Sequence, residues 1–205
     1  MNRKRLPVLV EQSIGSVQAE SNEKGFSFER LVRKDLKPTC QVGCDACCYH
    51  PVEISLLEAI PIYRYLVQRG RWTPSFVKTL EEHTEKTDYL SVVTWLMLRI
   101  PCPLLVDHRC SVYSARPFQC RVTWSVGDPH YCQGDRFGPE TALVPRDELT
   151  QNFHGYQKIH AKQVGMPFYT LPLGKALLWA ARLANGELNF YDLQSSLQKD
   201  FEKKA

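Results

Sequence analysis

Apolar residues recur at helical spacing in several parts of this sequence, and helix start and stop signals separate them. A pattern near the 3.6-residue period runs through residues 26–37 and stops at Pro38, which predicts a short helix. Residues 1–24 mix polar and small residues without a sustained period. We expect them to form an N-terminal tail, partly ordered by docking onto the rest of the chain.

A capping box predicts the start of a second helix. Ser55 and Glu58 have the spacing at which a serine oxygen and a glutamate three residues later satisfy free amides of a first helical turn. The helix should continue to about Gln68. Pro61 lies inside this span and should move the start later or bend the first turns, because proline lacks an amide hydrogen and contacts the preceding turn.

The pair Thr73-Pro74 predicts a third helix, since a hydroxyl residue followed by proline is typical of a helix N-terminus. This helix should reach about Leu98, where prolines stop it. Its second half, Tyr89 to Ile100, is apolar on most sides. We therefore expect its end to be buried against the cysteine-rich region.

The remainder divides into a long irregular segment and three helices. Residues 102–145 carry prolines, glycines and aspartates between cysteines, and only a short helical turn is expected, at 115–120. Helices are predicted from Asp147 or a neighbour to about Val164, from Thr170 to the pair Asn185-Gly186, and from Asn189, paired with Asp192, onward. No stretch alternates with a period of two, so the predicted fold is mainly α.

The predicted architecture is a single helical domain wrapped around a cysteine-rich, loop-dominated metal site. Its parts are a tail over 1–24, a cysteine-cluster metal-binding core over 25–145, and C-terminal helices over 146–205 that pack on the core. No apolar run reaches the roughly 18 to 20 residues of a membrane-spanning helix. The N-terminal sequence lacks the apolar core of an export signal, so we expect a cytoplasmic protein without membrane association.

Cysteine is the residue that changes this picture most. The chain has eight, four of them within nine residues: Cys40, Cys44, Cys47, Cys48, Cys102, Cys110, Cys120 and Cys132. Thiolates spaced by two or three residues can converge on one ion, as in zinc and iron-sulfur sites. In a reducing cytosol they are better explained as metal ligands than as disulfides. We predict that all eight are candidate ligands of zinc or iron, with iron present as an iron-sulfur cluster in one alternative.

The pairing of these thiols into sites stays open. Adjacent side chains usually point apart, so Cys47 and Cys48 should serve two metals, or one of them should lie outside the ligand set. Cations and imidazoles near the cysteines could assist, and aromatic residues could shield the site: Arg109, Arg116, Arg121, Arg136, His50, His108, His130, Tyr113, Phe118, Trp124 and Tyr131. The formal charge of +4 is weak evidence for nucleic-acid binding, because metal-bound thiolates would cancel it.

The spacing of Cys40, Cys44 and Cys47 also matches that of radical S-adenosylmethionine enzymes. Those enzymes have a partial barrel of alternating strands and helices, and the sequence after Cys48 shows no such alternation. No serine elbow, phosphate-binding loop or dinucleotide-binding glycine pattern is present. No catalytic residue is assigned, and whether the protein is an enzyme stays open.

The cysteine motifs resemble those of the YkgJ-type cysteine-cluster family, a zinc- or iron-chelating domain. The matching stretches are Cys40-x3-Cys44-x2-Cys47-Cys48, Cys102-Pro-Leu-Leu, and residues 109–121, which read RCSVYSARPFQCR. The family usually has two residues between its first two cysteines, whereas this chain has three. The resemblance covers about residues 40–133. It implies metal chelation by these cysteines and implies no reaction.

Two hypotheses follow. The first is a cytoplasmic metal-binding protein whose cluster ties the two cysteine segments together and is needed for folding. The second is an iron-sulfur redox protein or enzyme, with a protein partner possible. Flagellin lysine methylases are similar in having a comparable cluster, so methyl transfer is one form of this second hypothesis.

Overall fold

The computed structural model of the protein describes residues 6–41, 43–126, 132, 142–143, 146–188 and 192–202. Its first element is a long helix, α1, over Val8–Asp35. The tail predicted for 1–24 is therefore wrong from Val8 onward, and the short helix predicted after it is the last part of α1.

The buried face of α1 explains why its apolar period was missed. Val10, Ile14 and Val17 lie on this face at helical spacing and are almost fully buried. Ser21 and Gly25 continue it further along the helix. Small residues there allow other elements to approach closely, but they contribute little to an apolar pattern.

The second helix, α2, spans Leu56–Gln68, and Ser55 caps it as predicted. The hydroxyl of Ser55 accepts the amide of Glu58 at 3.3 Å. Pro61 is accommodated within the helix and does not move its start. The Glu58 side chain does not complete the capping box, because it points into the core, where it contacts other parts of the chain.

The predicted third helix is two helices. Thr73 caps α3, Pro74–Thr87, and Ser91 caps α4, Val92–Leu98, each through its side-chain oxygen. The expected burial of the far end is also wrong. Trp95 is buried, but most of the apolar side chains of α4 face solvent, with Met97 77% exposed. The second cap divides the helix and leaves α4 with a single buried anchor.

Shorter elements follow. They are β1 at Glu53–Ser55, β2 at Leu105–Val106, β3 at Arg109–Cys110, a 3₁₀ turn at Tyr113–Ala115, α5 at Phe118–Arg121, β4 at Ser125–Val126, β5 at Ala142–Leu143, α6 at Arg146–Gln163, β6 at Thr170–Pro172, α7 at Leu173–Ala184 and α8 at Leu193–Glu202. The prediction of a mainly α fold is confirmed. The short strands form antiparallel pairs β1 with β6, β2 with β3 and β4 with β5.

The core lies between α2 and α7, which form the most extensive helix contact, with α1, α3 and α6 around them. Ile60, Leu66 and Leu177 are among its fully buried side chains. A bidentate ion pair from Arg64 to Glu11 ties α2 to α1, with N to O distances of 2.6 and 2.8 Å. No helix in the described part of the chain is long and apolar enough to cross a membrane.

Candidate metal centre

The first cysteine segment, Cys40–Cys48, is shaped by a glycine and a 3₁₀ turn. Gly43 has φ +89°, in the left-handed region that favours glycine because it has no Cβ. The amide of Cys44 donates to the carbonyl of Gln41 at 3.1 Å. The 3₁₀ turn Ala46–Tyr49 then carries the last two cysteines of the segment. These two turns therefore set the path of the backbone through the first cysteine segment.

A main-chain hydrogen bond joins the two cysteine segments. The amide of Cys102 donates to the carbonyl of Cys48 at 2.7 Å. The hairpin of β2 and β3 begins shortly after Cys102, and its register pairs Leu105 with Cys110. Backbone contacts thus fix the main-chain positions of Cys48, Cys102 and Cys110 relative to one another.

The tip of this hairpin contacts the first segment. Asp107 and His108 form its two-residue turn and both have positive φ, 47° and 59°, the conformation of a type I′ turn. Nδ1 of His108 lies 2.7 Å from Oδ2 of Asp45. The His108 side chain is largely exposed, so this contact orients the loop and contributes little to stability.

A buried carboxylate holds the helix that carries Cys120. Oε1 of Glu58 accepts the first amide of α5, that of Phe118, at 2.9 Å, and Oε2 accepts Nε2 of Gln157 at 2.9 Å. Burial raises the pKa of Glu58, and these donors offset part of the rise. Glu58 thus connects α2 and α6 to α5, the helix that contains Cys120.

Cys40 lies apart from the main core. It packs against a small apolar cluster formed by Val32 and Trp124. The amide of Ser125 donates to its sulfur at 3.3 Å, and the carbonyl of Ser125 accepts the amide of Thr39 at 3.0 Å. These contacts join the start of the first cysteine segment to β4.

The electrostatic neighbours of each thiol show which cysteines lie near one another. Burial raises the pKa of Cys40, and the thiols of Cys44, Cys47 and Cys132 raise it further. Burial likewise raises the pKa of Cys120, to which Cys47 and two other cysteines, Cys102 and Cys110, add. Cys47 therefore lies near Cys40 and also near Cys120.

Individual thiols differ strongly in acidity. A hydrogen bond from Cys48 lowers the pKa of Cys47 to about 7, and the same contact raises that of Cys48. Burial raises the pKa of Cys102 to about 12 and also raises that of Cys110. Buried thiols of this kind lose their protons when a cation replaces them, so metal binding and deprotonation are coupled.

All eight cysteines are free of disulfide bonds. Among the residues that the structure describes, no three potential ligands converge tightly enough to hold one ion. The donor chemistry nevertheless fits zinc or iron, since thiolate sulfur is a preferred ligand of both zinc and iron-sulfur clusters.

The predicted arginines differ in their relation to the thiols. Arg116 lies close enough to Cys47, Cys110 and Cys120 to lower the pKa of each. Its side chain is 10% exposed, and it lowers the pKa of Cys47. Its Nε is buried without a hydrogen-bond partner in the described structure. Arg121 instead donates to main-chain carbonyls, Arg109 is exposed, and Arg136 is not among the described residues.

The predicted histidine and aromatic neighbours of the cysteines also differ in their positions. The amide of His50 donates to the carbonyl of Cys47 at 3.2 Å, which orders the 3₁₀ turn. Phe118 and Trp124 are buried, whereas Tyr113 is 60% exposed and lies under the guanidinium group of Arg116. His130 and Tyr131 fall outside the described ranges.

Sequence reasoning missed two residues that position the centre. Glu58 was assigned to a capping box, although its side chain supports the helix of Cys120. Ser125 had no role assigned, although its main chain holds both Thr39 and Cys40. A buried glutamate was detectable only as an acidic residue within an apolar run. Hydrogen bonds made by the main chain of Ser125 cannot be predicted from its residue type.

A known protein family matches the cysteine-rich half of the chain. Residues 39–141, half of the chain, match the family described as "CxxCxxCC: Putative zinc- or iron-chelating domain". No curated protein and no solved structure matches the chain. The matched residues contain all eight cysteines together with α2 to α5. The chain therefore belongs to the CxxCxxCC family of zinc- or iron-chelating domains.

Proposed function

We propose that this protein binds zinc or iron through its cysteine thiolates, and that the bound metal links the first cysteine segment to the segment that begins at Cys102. Its role is then that of a metal-binding protein whose metal stabilises the fold. Membership of the family supports zinc or iron as the ligand. The proposal that the protein binds zinc or iron also rests on the chemistry of thiolates, which bind both metals.

One observation carries the proposal. The hydrogen bond from the amide of Cys102 to the carbonyl of Cys48 brings the two segments together at the cysteines themselves. The hairpin thiol of Cys110 also raises the pKa of the helix thiol of Cys120, so the two thiols lie within electrostatic reach of each other. Such a cluster of thiols is stabilised when a cation binds them as thiolates.

We also propose that the protein acts in a reducing compartment such as the cytoplasm. Eight thiols without a disulfide are compatible with metal ligation only where they stay reduced. Zinc would give a closed tetrahedral site with a structural role. Iron would give a redox-active cluster and would favour the alternative of a redox protein or an enzyme.

Anaerobic purification, followed by metal analysis and an absorbance spectrum, tests the proposal. We expect zinc or iron to copurify with the chain and to be lost after treatment with a chelator. Coloured protein containing iron identifies the cluster alternative, and colourless protein containing zinc identifies the structural site. Protein that carries neither metal, and takes up neither after anaerobic reconstitution, would refute the proposed function.

A matched pair of variants tests the contribution to stability. Cys44→Ala changes an exposed side chain, so its effect on packing is small. Gln41→Ala is a control in the same loop. A ligand present at 100 times its Kd stabilises a protein by about 2.7 kcal/mol. At this chain length that corresponds to a fall in Tm of roughly 5 to 10 °C for Cys44→Ala. Equal Tm values for both variants and the wild type would contradict a stabilising role.

A further inference from the structure

We propose that a cavity between α3 and α7 binds a small zwitterion with a large apolar side chain, such as a free aromatic α-amino acid. The cavity has a volume of about 540 Å³. This lies within the roughly 300 to 1,000 Å³ of ordinary ligand sites. Its walls come from α3, α7 and the residues that flank them, and no cysteine is among the described residues that line it. The proposed ligand site is therefore separate from the metal centre.

A nearly buried ion pair forms the inner end of the cavity. Nζ of Lys175 lies 3.5 Å from Oδ2 of Asp88, and the two side chains are 5% and 8% exposed. Both residues line the cavity. The two helices approach closely beside this pair, because a Cβ at Gly174 would lie 2.9 Å from Oγ1 of Thr84. One positive and one negative group are thus held side by side where little water reaches them.

This ion pair favours a ligand that carries both charges. A ligand with a single charge is attracted by one member of the pair and repelled by the other. A zwitterion can place its carboxylate at Lys175 and its ammonium group at Asp88, so every buried charge keeps a partner. The 3.5 Å separation is longer than the roughly 2.7 to 2.9 Å of a tight contact between charged groups. Adjacent ammonium and carboxylate groups are the common feature of free α-amino acids.

The remaining lining explains the apolar part of the ligand. Aromatic rings offer large apolar contact areas to a bound molecule, and the cavity includes two of them among its apolar side chains: Trp72, Val77, Leu178 and Trp179. The charged residues at the rim are exposed: Glu81, Arg182 and Glu187. Water and salt screen exposed charges, so the buried pair decides which charge pattern binds.

Calorimetric titration of the full-length chain with four probes tests the proposal. Tryptophan carries both charges and an indole ring, tryptamine lacks the carboxylate, indolepropionate lacks the ammonium group, and glycine lacks the ring. Hydrogen bonds to charged groups contribute about 1.5 to 3 kcal/mol, so we expect tryptophan to bind at least about tenfold more tightly than each of the others. Equal affinity for tryptophan and either singly charged probe would overturn the proposal, as would no binding of tryptophan at millimolar concentration.

A double variant, Lys175→Met with Asp88→Leu, tests the ion pair directly. Replacing a buried ion pair by apolar side chains is often neutral or stabilising, so Tm should stay close to that of the wild type while tryptophan binding is lost. The control, Lys78→Met with Glu82→Leu, removes an exposed ion pair of 3.8 Å from the same helix α3 and should bind like the wild type. Unchanged binding in a folded Lys175→Met, Asp88→Leu protein would refute the site. If this variant fails to fold, the four probes still decide the question with the wild type.

Discussion

Glu58 offers the sharpest test of how the fold positions the centre. Its two carboxylate oxygens accept the amide of Phe118 and the side-chain amide of Gln157, both at 2.9 Å and both buried. Glu58→Ala removes both acceptors and leaves two buried donors unsatisfied. Hydrogen bonds to a charged group contribute about 1.5 to 3 kcal/mol each, so we expect the free energy of unfolding to fall by about 3 to 6 kcal/mol.

Glu58→Gln is the matched control. The amide oxygen can still accept the amide of Phe118. Oε1 of Gln157 is buried without a partner, so the side-chain amide of Gln157 can turn over and accept the new NH₂ group. We expect this variant to lie within about 1 kcal/mol of the wild type near pH 4.5, where the unfolded carboxyl group titrates.

The pH dependence of these two proteins should differ in a definite direction. Burial raises the pKa of Glu58 above its ordinary value of 4.5. The folded state therefore holds this proton more tightly than the unfolded state does. The contribution of Glu58 to stability is fully present below the unfolded pKa and is lost as pH rises through the folded pKa. Relative to the wild type, Glu58→Gln should gain about 1.4 kcal/mol per unit of pKa shift across that window.

Urea unfolding of the three proteins between pH 4 and 8 provides the measurement. Zinc or iron binding by Glu58→Ala should also weaken, because α5 and its Cys120 lose their buried anchor. The reasoning is refuted if Glu58→Ala lies within 1 kcal/mol of the wild type. A difference between Glu58→Gln and the wild type that stays constant with pH would refute the raised pKa.

Two further predictions concern helices near the centre. Gly25→Ala should destabilise the protein or leave its stability unchanged, because a Cβ there would lie 3.0 Å from Cδ of Arg121. Gly15→Ala places its Cβ in open space and should stabilise α1 by up to about 1 kcal/mol. Thermal unfolding compares them, and equal stabilisation would contradict the close contact. On α4, Met97→Gln should change stability by less than about 0.5 kcal/mol and Trp95→Ala should cost about 3 kcal/mol, since only the tryptophan is buried. Similar losses in urea unfolding would contradict the exposure of that helix.

Local signals predicted the helix starts well because they act within one turn. Ser55 and Thr73 both cap through the hydroxyl group, as their sequence context indicated. Glu58 satisfied the same local rule, yet its partner is the amide of Phe118, which lies far along the sequence. No pattern within α2 could indicate that contact, because it depends on how the chain folds back on itself.

The cysteine spacing predicts a set of metal ligands but cannot indicate which apolar cluster supports each thiol. Cys40 and Cys102 carry the same chemistry in sequence, and only packing separates them, one on Trp124 and the other on the main core. The long helix α1 was missed for a related reason. Its buried face includes Ser21 and Gly25, whose small size matters for close approach and whose apolar character is weak.

The pairing of β1 with β6 has a consequence for where this domain can be cut. β1 lies inside the matched residues 39–141, but β6 and the helix that follows it lie outside them. The hydrophobic face of α2 packs chiefly on that same external helix, α7. An isolated 39–141 fragment would keep every cysteine and expose side chains such as Ile54 and Leu57, which the complete chain buries. The family segment thus contains every cysteine without being an autonomous folding unit, and expressed alone it should aggregate.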